Sequence, residues 1–366
     1  MDIGIDINKR RSWSGFWKDI RRDIKTRIFW NAPITHLIYR HAWNFRPDQQ
    51  SAGDAPLSVD VELANGCNFR CVMCQQSTEW LAKKDEHFMD WPTLKLVTDE
   101  CKRIGVYSMK VNWRGESTLD PECGKKVRYL KEAGIHEVQM NTNASKLDND
   151  VLVNDLIAGL DRIIFSCDGM SPETYNKIRR GGNFNVFLKN VTRFRRLRDE
   201  KDAKLGFFDK RRGLPVIRLN MAIMEQNHHE VDDIKVLFRG ICDEIFFNKV
   251  YRPQNAASDH NKGQHRTDKR RGCPQIYQRL IVDVEGNVMP CCVDYQKKLN
   301  MGNVSDISLN DIWNKKGNAL RNIHKNHAAR KLPGCAGCDN FALSALNDKK
   351  EVVWTTVGDG ASSYGC

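Results

Sequence analysis

The chain has 366 residues, 13 of them cysteine, and a formal net charge of +12. That length allows a substantial core with a main domain and one smaller unit, and no run approaches the ~20 apolar residues needed to cross a bilayer. Charged residues interrupt every apolar run from Ile3 to Ile28, so no secretory signal core is expected. With an odd cysteine count, this points to a reducing cytoplasm where thiols bind metal or stay free. The positive charge is spread over Arg193 to Arg198, Lys210 to Arg212 and Lys269 to Arg271 without a recognisable nucleic-acid motif. It reads as solvated faces, and a nucleic-acid partner is not expected.

Residues 1–50 form a basic extension in which Trp13, Phe16, Trp17, Ile20, Ile24 and Ile28 recur at helical spacing, with Lys18, Arg21, Arg22, Lys25 and Arg27 opposite. Such a helix can pack on the main domain, or lie on an anionic membrane surface as a peripheral contact. From about 57 to 250, strand-like and helix-like segments alternate, the pattern of parallel β/α architecture. The strand candidates are Leu57 to Leu63, Tyr107 to Asn112, Glu137 to Thr142, Arg162 to Ser166, Val216 to Met224 and Glu244 to Val250, and a helix is predicted from near Trp91. Six strands suit a partial (β/α)6 barrel, with functional residues on loops at the carboxyl ends of the strands. Asn227 is expected to cap the next helix, and His228 and His229 to lie on the surface. Residues 251–272 read as a polar linker. Residues 273–345 read as a small domain, with a hairpin of Leu280 to Val284 and Val288 to Pro290 around Glu285-Gly286-Asn287, then a helix over about Ser308 to His327. Residues 346–366 form a tail.

Two cysteine sets carry the chemistry. Cys67, Cys71 and Cys74 form a C-x3-C-x2-C triplet directly after the first strand. Three thiolates on one loop can hold three irons of a cubane and leave the fourth open, whereas fully ligated clusters mostly carry electrons or hold structure. A zinc knuckle or free thiols share that spacing. In the second set the hairpin brings Cys273 and Cys291 to one end, and the following helix returns the chain to Cys335 and Cys338. Spacing alone leaves zinc and a four-cysteine cluster open. Cys292 is either an alternative ligand or a free thiol beside the site. Cys101, Cys123, Cys167 and Cys242 read as buried apolar residues, and Cys366 as exposed without a role.

The triplet and its context resemble the radical S-adenosylmethionine (SAM) superfamily. The resemblance extends to Gly115-Glu116, similar to the family's Gly-Glu-Pro segment with Ser117 in place of proline; to Thr142-Asn143 near the ribose; and to Ser166-Cys167-Asp168-Gly169. It implies an α/β partial barrel with a small C-terminal β-hairpin/helix iron-sulfur domain of SPASM or twitch type. It also implies two 4Fe-4S clusters, one SAM-binding and one auxiliary, the latter on Cys273, Cys291, Cys335 and Cys338. SAM would be cleaved to a 5'-deoxyadenosyl radical, with an electron donor such as flavodoxin or ferredoxin. The resemblance places Met73 towards the adenine, Gly115 and Glu116 at the SAM amino group, and Ser166 at the ribose or carboxylate, with Asp168 on the same face as Ser166. Arg179 or Arg180 would supply a forked contact to the carboxylate. The reading that follows is hydrogen abstraction from a small molecule of sugar or aminocyclitol type, giving oxidation or epimerisation, with Cys292 as catalytic thiol for the latter. The alternatives are a peptide or protein maturase, for which 50 basic residues look too short as a leader-recognition module, and a non-catalytic iron-sulfur or zinc protein.

Overall fold

The computed structural model describes residues 33–77, 86–205, 215–249, 273–336 and 338. The predicted amphipathic segment before residue 33, the linker 251–272, the tail 346–366 and Cys366 lie outside them. Helix α1 (Pro33–Asp48) precedes β1 (Ser58–Val61). Then come α2 (Trp91–Arg103), β2 (Ser108–Lys110), α3 (Cys123–Glu132), β3 (Glu137–Thr142), α4 (Asp150–Gly159) and β4 (Arg162–Ser166). They are followed by α5 (Pro172–Ile178), α6 (Phe184–Ala203), β5 (Val216–Ile223), α7 (Val231–Leu237) and β6 (Glu244–Lys249). The hairpin strands are β7 (Arg279–Val282) and β8 (Val288–Met289), and α8 (Gly317–Lys325) follows a π-helical stretch, Ile312–Lys316.

The strands form one sheet in the order β6-β5-β4-β3-β2-β1-β7-β8. Strands β1 to β6 pair in parallel with their neighbours, as in a partial barrel. The hairpin is not a separate layer: β7 pairs in parallel with β1, Ser58 opposite Arg279 and Val61 opposite Val282, and only β7 and β8 are antiparallel. Cysteine-bearing loops from both ends of the chain are thereby brought to neighbouring strands.

Alternation explains the two faces of the sheet. Val59, Val61, Met109, Val138, Met140, Ile163, Phe165, Ile217 and Leu219 enter the apolar core shared with the helices. The alternate positions, Asp60, Gln139, Arg162, Arg218, Glu244 and Arg279 among them, line the concave face with buried polar and charged groups. Asp60 pairs with Arg279 at 2.8 Å and Arg218 with Glu244 at 2.6 Å. Helix starts are set locally: Asp90, Asn149, Ser171 and Asn183 accept backbone N–H bonds at the starts of α2, α4, α5 and α6.

Helix α1 closes the amino ends of the strands. Tyr39 stacks on Tyr107 at 4.2 Å, His36 meets the Tyr107 hydroxyl at 2.9 Å, and Gln278 donates to the Trp43 carbonyl at 2.7 Å. This part of the extension therefore packs on the barrel. Its outer side carries Ile34, Ile38 and Phe45, all exposed. No helix among the described residues is long and apolar enough to cross a membrane.

Candidate active site

The loop after β1 carries Cys67, Cys71 and Cys74. Cys71 is buried and the other two are partly exposed. Burial pushes the Cys67 thiol up to about 12, with Glu116, Cys74 and Cys71 adding to it. Burial does the same at Cys71, again to about 12, opposed by Arg179. The burial of these sulfurs means that the thiolate form needs a compensating positive centre.

Three predicted segments hold this loop. A Cβ on Gly115 would fall on the carbonyl oxygens of Ala64 and Gly66, so only glycine allows the strand-β2 loop to lie on the cysteine loop. There the Glu116 N–H donates to the Gly66 carbonyl at 2.8 Å. The Glu116 carboxylate accepts from the Thr118 and Thr142 hydroxyls (2.7 and 2.8 Å) and from the Asn143 N–H (2.7 Å). It is thus already a hub tying the ends of β2 and β3 together. Ser117, which stands where the family has proline, is fully buried and its hydroxyl donates to the Val111 carbonyl, tying the turn back to the end of β2. The Asn143 amide donates to Asn68 Oδ1 at 2.9 Å and lies 4.0 Å from the Cys67 sulfur.

After β4, Cys167 enters the apolar core, as alternation requires, while Ser166 is partly exposed. Asp168 accepts from the Ala222 N–H at 2.7 Å and pairs with Arg179 at 2.6 Å. Burial works against the charge on Arg179, but Asp168 together with Cys71, Tyr175 and Cys167 more than offsets it and keeps the guanidinium firmly protonated. Its Nη1 lies 3.9 Å from the Cys71 sulfur. Asn227 does not cap a helix through its side chain: its Oδ1 accepts from the Met224 N–H and its Nδ2 donates to the Asp168 and Ala222 carbonyls. His228 and His229 are exposed, as expected, and Met73 stands partly buried on the cysteine loop.

Of the second set, Cys273, Cys335 and Cys338 pack in one cluster. Burial raises the Cys273 thiol to about 12, followed by Cys338 and Cys335 among its causes, and Cys291 is raised by burial, Cys273 and Cys338. Around them pack Ile276, Tyr277, Leu320 and Leu332. His324 sits 3.7 Å from the Cys335 sulfur, and burial lowers its pKa to about 4. Cys292 points the other way, into a cluster of Ile281, Met289 and Trp113, and is disulfide-bonded. In that state it has no thiol hydrogen to donate and no thiolate to ligate, so its predicted role applies only to the reduced side chain. Cys101, Cys123 and Cys167 are fully buried, whereas Cys242 is only partly buried against the core.

The sequence reading missed the pieces joining the two sets. Arg114, inside the resemblance segment, makes a forked bond to buried Glu62 (2.8 and 2.6 Å) and lies 4.3 Å from the Trp113 ring centre. The Trp113 indole donates to the Cys292 carbonyl at 2.6 Å and its ring lies near-parallel to Tyr295 at 6.2 Å. An unassigned Trp-Arg next to a recognised loop motif was the available signal.

A model of the radical SAM superfamily matches residues 61–203, and a model of an iron-sulfur cluster-binding domain, SPASM, matches residues 273–339. The chain belongs to the radical SAM superfamily. Its C-terminal part is the SPASM iron-sulfur domain. Among curated proteins, a probable GTP 3',8-cyclase of Saccharolobus islandicus is 30% identical over 171 residues, 47% of this chain and 49% of that protein. GTP 3',8-cyclase of Clostridium botulinum is 28% identical over 177 residues, 47% and 50% of the two chains. The chain thus spans about half the length of the curated relatives it matches. In fold it is similar to Streptococcus suis SuiB bound to S-adenosylmethionine, with a TM-score of 0.60, 13% identity and coverage of 85% of this chain and 77% of that one. It is similar also to anSMEcpe with bound AdoMet, with a TM-score of 0.54, 16% identity and coverage of 78% and 90%.

The radical SAM assignment brings SAM, a SAM-binding 4Fe-4S cluster and auxiliary iron-sulfur binding in the SPASM domain. The donor sets fit. Both consist of thiols whose burial disfavours an uncompensated anion. Among the described residues no three His, Cys, Asp or Glu side chains are drawn in closely enough to hold a metal ion.

Proposed function

We propose that this radical SAM chain abstracts a hydrogen atom from a small molecule of sugar or aminocyclitol type and gives oxidation or epimerisation. The observation that supports this substrate class is the polar concave face. The carboxamide oxygens of Asn141 on β3 and Asn220 on β5 are buried without a hydrogen-bond partner. Ser166 of β4 is in register with Asn220. A buried acceptor left unpaired costs about 1–3 kcal/mol, which a hydroxyl or amino donor on a bound ligand relieves. A polyhydroxylated ring carries such donors on several sides.

Cys67, Cys71 and Cys74 would hold the SAM-binding cluster, and Cys273, Cys291, Cys335 and Cys338 a single auxiliary one. When bound, the first cluster and SAM supply the 5'-deoxyadenosyl radical that takes the hydrogen atom. The chain's own residues do the rest. Arg179, backed by Asp168, presents a fixed cation beside Cys71 to a SAM carboxylate. Asn143 and Glu116 hold the cysteine loop on the ends of β2 and β3, and Ser166 offers a hydroxyl to the ribose or carboxylate. In epimerisation the reduced Cys292 thiol would return a hydrogen atom.

Anaerobic reconstitution with SAM, dithionite and a panel of aminocyclitols tests the reading. Formation of 5'-deoxyadenosine with a product two mass units lighter supports oxidation. A product isobaric with substrate in ordinary water and one mass unit heavier in deuterated water supports epimerisation. No 5'-deoxyadenosine, with or without substrate, overturns the enzyme reading and leaves a non-catalytic iron-sulfur protein. A second reading, peptide modification, draws support from fold similarity to SuiB, also solved bound to precursor peptide SuiA, and to anSMEcpe, also solved with the Cp18Cys peptide. Turnover of a cysteine-containing peptide, with none of a cyclitol, would favour it. The exposed Ile34, Ile38 and Phe45 of α1, next in sequence to the basic amphipathic segment, support a peripheral membrane contact. Failure to co-sediment with anionic vesicles would end that idea.

A further inference from the structure

We propose that Trp113, Arg114 and Tyr295 form a strut that sets the spacing between the SAM-side thiol loop and the auxiliary thiol loop. The proposal rests on the two-centre reading above. The strut has three contacts on the auxiliary side. The Trp113 indole N–H donates to the Cys292 carbonyl at 2.6 Å, its ring lies near-parallel to Tyr295, and Arg114 Nη1 reaches the Tyr295 carbonyl at 3.4 Å. They grip the segment that begins with Cys291, so the ligand's backbone is held from the barrel rather than by the hairpin alone.

On the barrel side the strut is anchored twice. The Arg114 guanidinium is fixed by its fork onto Glu62, and both side chains are almost fully buried. Glu62 directly follows β1, two residues before the backbone on which Gly115 rests. The next residue, Glu116, bonds the Gly66 carbonyl beside Cys67. A path of contacts thus runs from Gly66, next to Cys67, through residues 113–116 to Cys292, next to Cys291.

The third member, Tyr295, is met on its ring by Trp113 and at its carbonyl by Arg114 Nη1. Electron exchange between two centres weakens steeply with distance, and a site loose by about 1 Å loses function. A paired aromatic clamp locked by a buried ion pair is a rigid way to fix that distance. Trp113 and Arg114 therefore act as positioning residues.

The test uses the full chain, purified anaerobically and reconstituted, as wild type, Trp113→Phe, Trp113→Ala and Tyr295→Phe. Iron and sulfide content is measured with the electron-spin relaxation of the reduced protein, which reports the separation of two paramagnetic centres. The expected result is full iron in every variant, with relaxation slowed several-fold in Trp113→Ala, less in Trp113→Phe, and wild-type in Tyr295→Phe, which keeps the ring pair. Wild-type relaxation in Trp113→Ala at full iron overturns the strut. So does loss of half the iron in Trp113→Phe, because the contact would then serve ligation rather than spacing. Half the expected iron in the wild type would instead sink the two-centre reading, and the strut with it.

Discussion

The two thiol sets use the same residue type in opposite surroundings. Cys67, Cys71 and Cys74 are ringed by polar groups: the Asn143 amide, the Arg179 guanidinium and the carboxylates of Glu116 and Asp168 behind them. Cys273 and Cys335 are buried among Ile276, Tyr277 and Leu320, and the histidine at Cys335 is kept neutral by burial, its pKa lowered to about 4. A polar surround with fixed donors can receive a charged ligand, whereas an apolar one excludes water and favours electron storage or structure. The difference argues that the first set is where SAM docks.

The sharpest way to break that contrast is to remove one thiol from each set. In Cys67→Ala, 5'-deoxyadenosine formation is expected to fall to background while the auxiliary set still takes up iron. In Cys335→Ala, SAM cleavage is expected to persist while substrate turnover is lost. Equal loss of SAM cleavage in both variants would erase the distinction. A smaller effect is expected at the cation of the polar ring. Arg179→Met leaves Asp168 buried without its partner, and a destabilisation of about 3–5 kcal/mol by urea denaturation is expected. SAM affinity, measured calorimetrically, should weaken in the less disruptive Arg179→Lys, because an ammonium lacks the fork that meets both Asp168 and a carboxylate.

Much of this was legible in the sequence where one periodicity governs. Glu137–Thr142 and Arg162–Ser166 have the predicted limits because alternating side chains and flanking caps both mark them. The first two strands are shorter than predicted, Ser58–Val61 and Ser108–Lys110, because their carboxyl ends bend into the loops that hold the cysteines. Pairing of β7 with β1 was hidden, since the partner lies more than 200 residues away and alternation says nothing about which edge a hairpin joins. The π-helical stretch Ile312–Lys316 was equally hidden within a run of helical spacing. At the site, the cysteines and Gly115 could be read by residue type. The side-chain partners of Glu116, Asp168 and Asn227 could not, because each is chosen by tertiary neighbours from several possible donors.

The polar face of the sheet also carries a cost that pH can reveal. Lys110, on β2, has its pKa lowered to about 8, chiefly by burial, helped further by Arg279 and opposed by Asp60. Below pH 8 the lysine is charged in folded and unfolded chains alike, and the folded state bears the full desolvation penalty. Between pH 8 and its ordinary value of 10.5 the folded chain loses the proton first, so stability rises with pH. Asp60 keeps Arg279 at 2.8 Å if the lysine is removed. Lys110→Met is therefore expected to stabilise the protein by about 1–3 kcal/mol at pH 7, with the gain fading as pH approaches 10.5. A gain independent of pH would show that packing rather than charge is responsible.

The smallest effect concerns the turn that supports the SAM-side loop. Ser117→Ala removes the hydroxyl donor to the Val111 carbonyl from a fully buried position, and about 1 kcal/mol should be lost in urea denaturation. If the hydroxyl stiffens the turn in place of a proline, hydrogen exchange at the Glu116 amide, which holds the Gly66 carbonyl at 2.8 Å, should accelerate more than exchange at amides of β7. Equal acceleration at both would mean that Ser117 contributes to global stability only, and that the cysteine loop is rigid for other reasons.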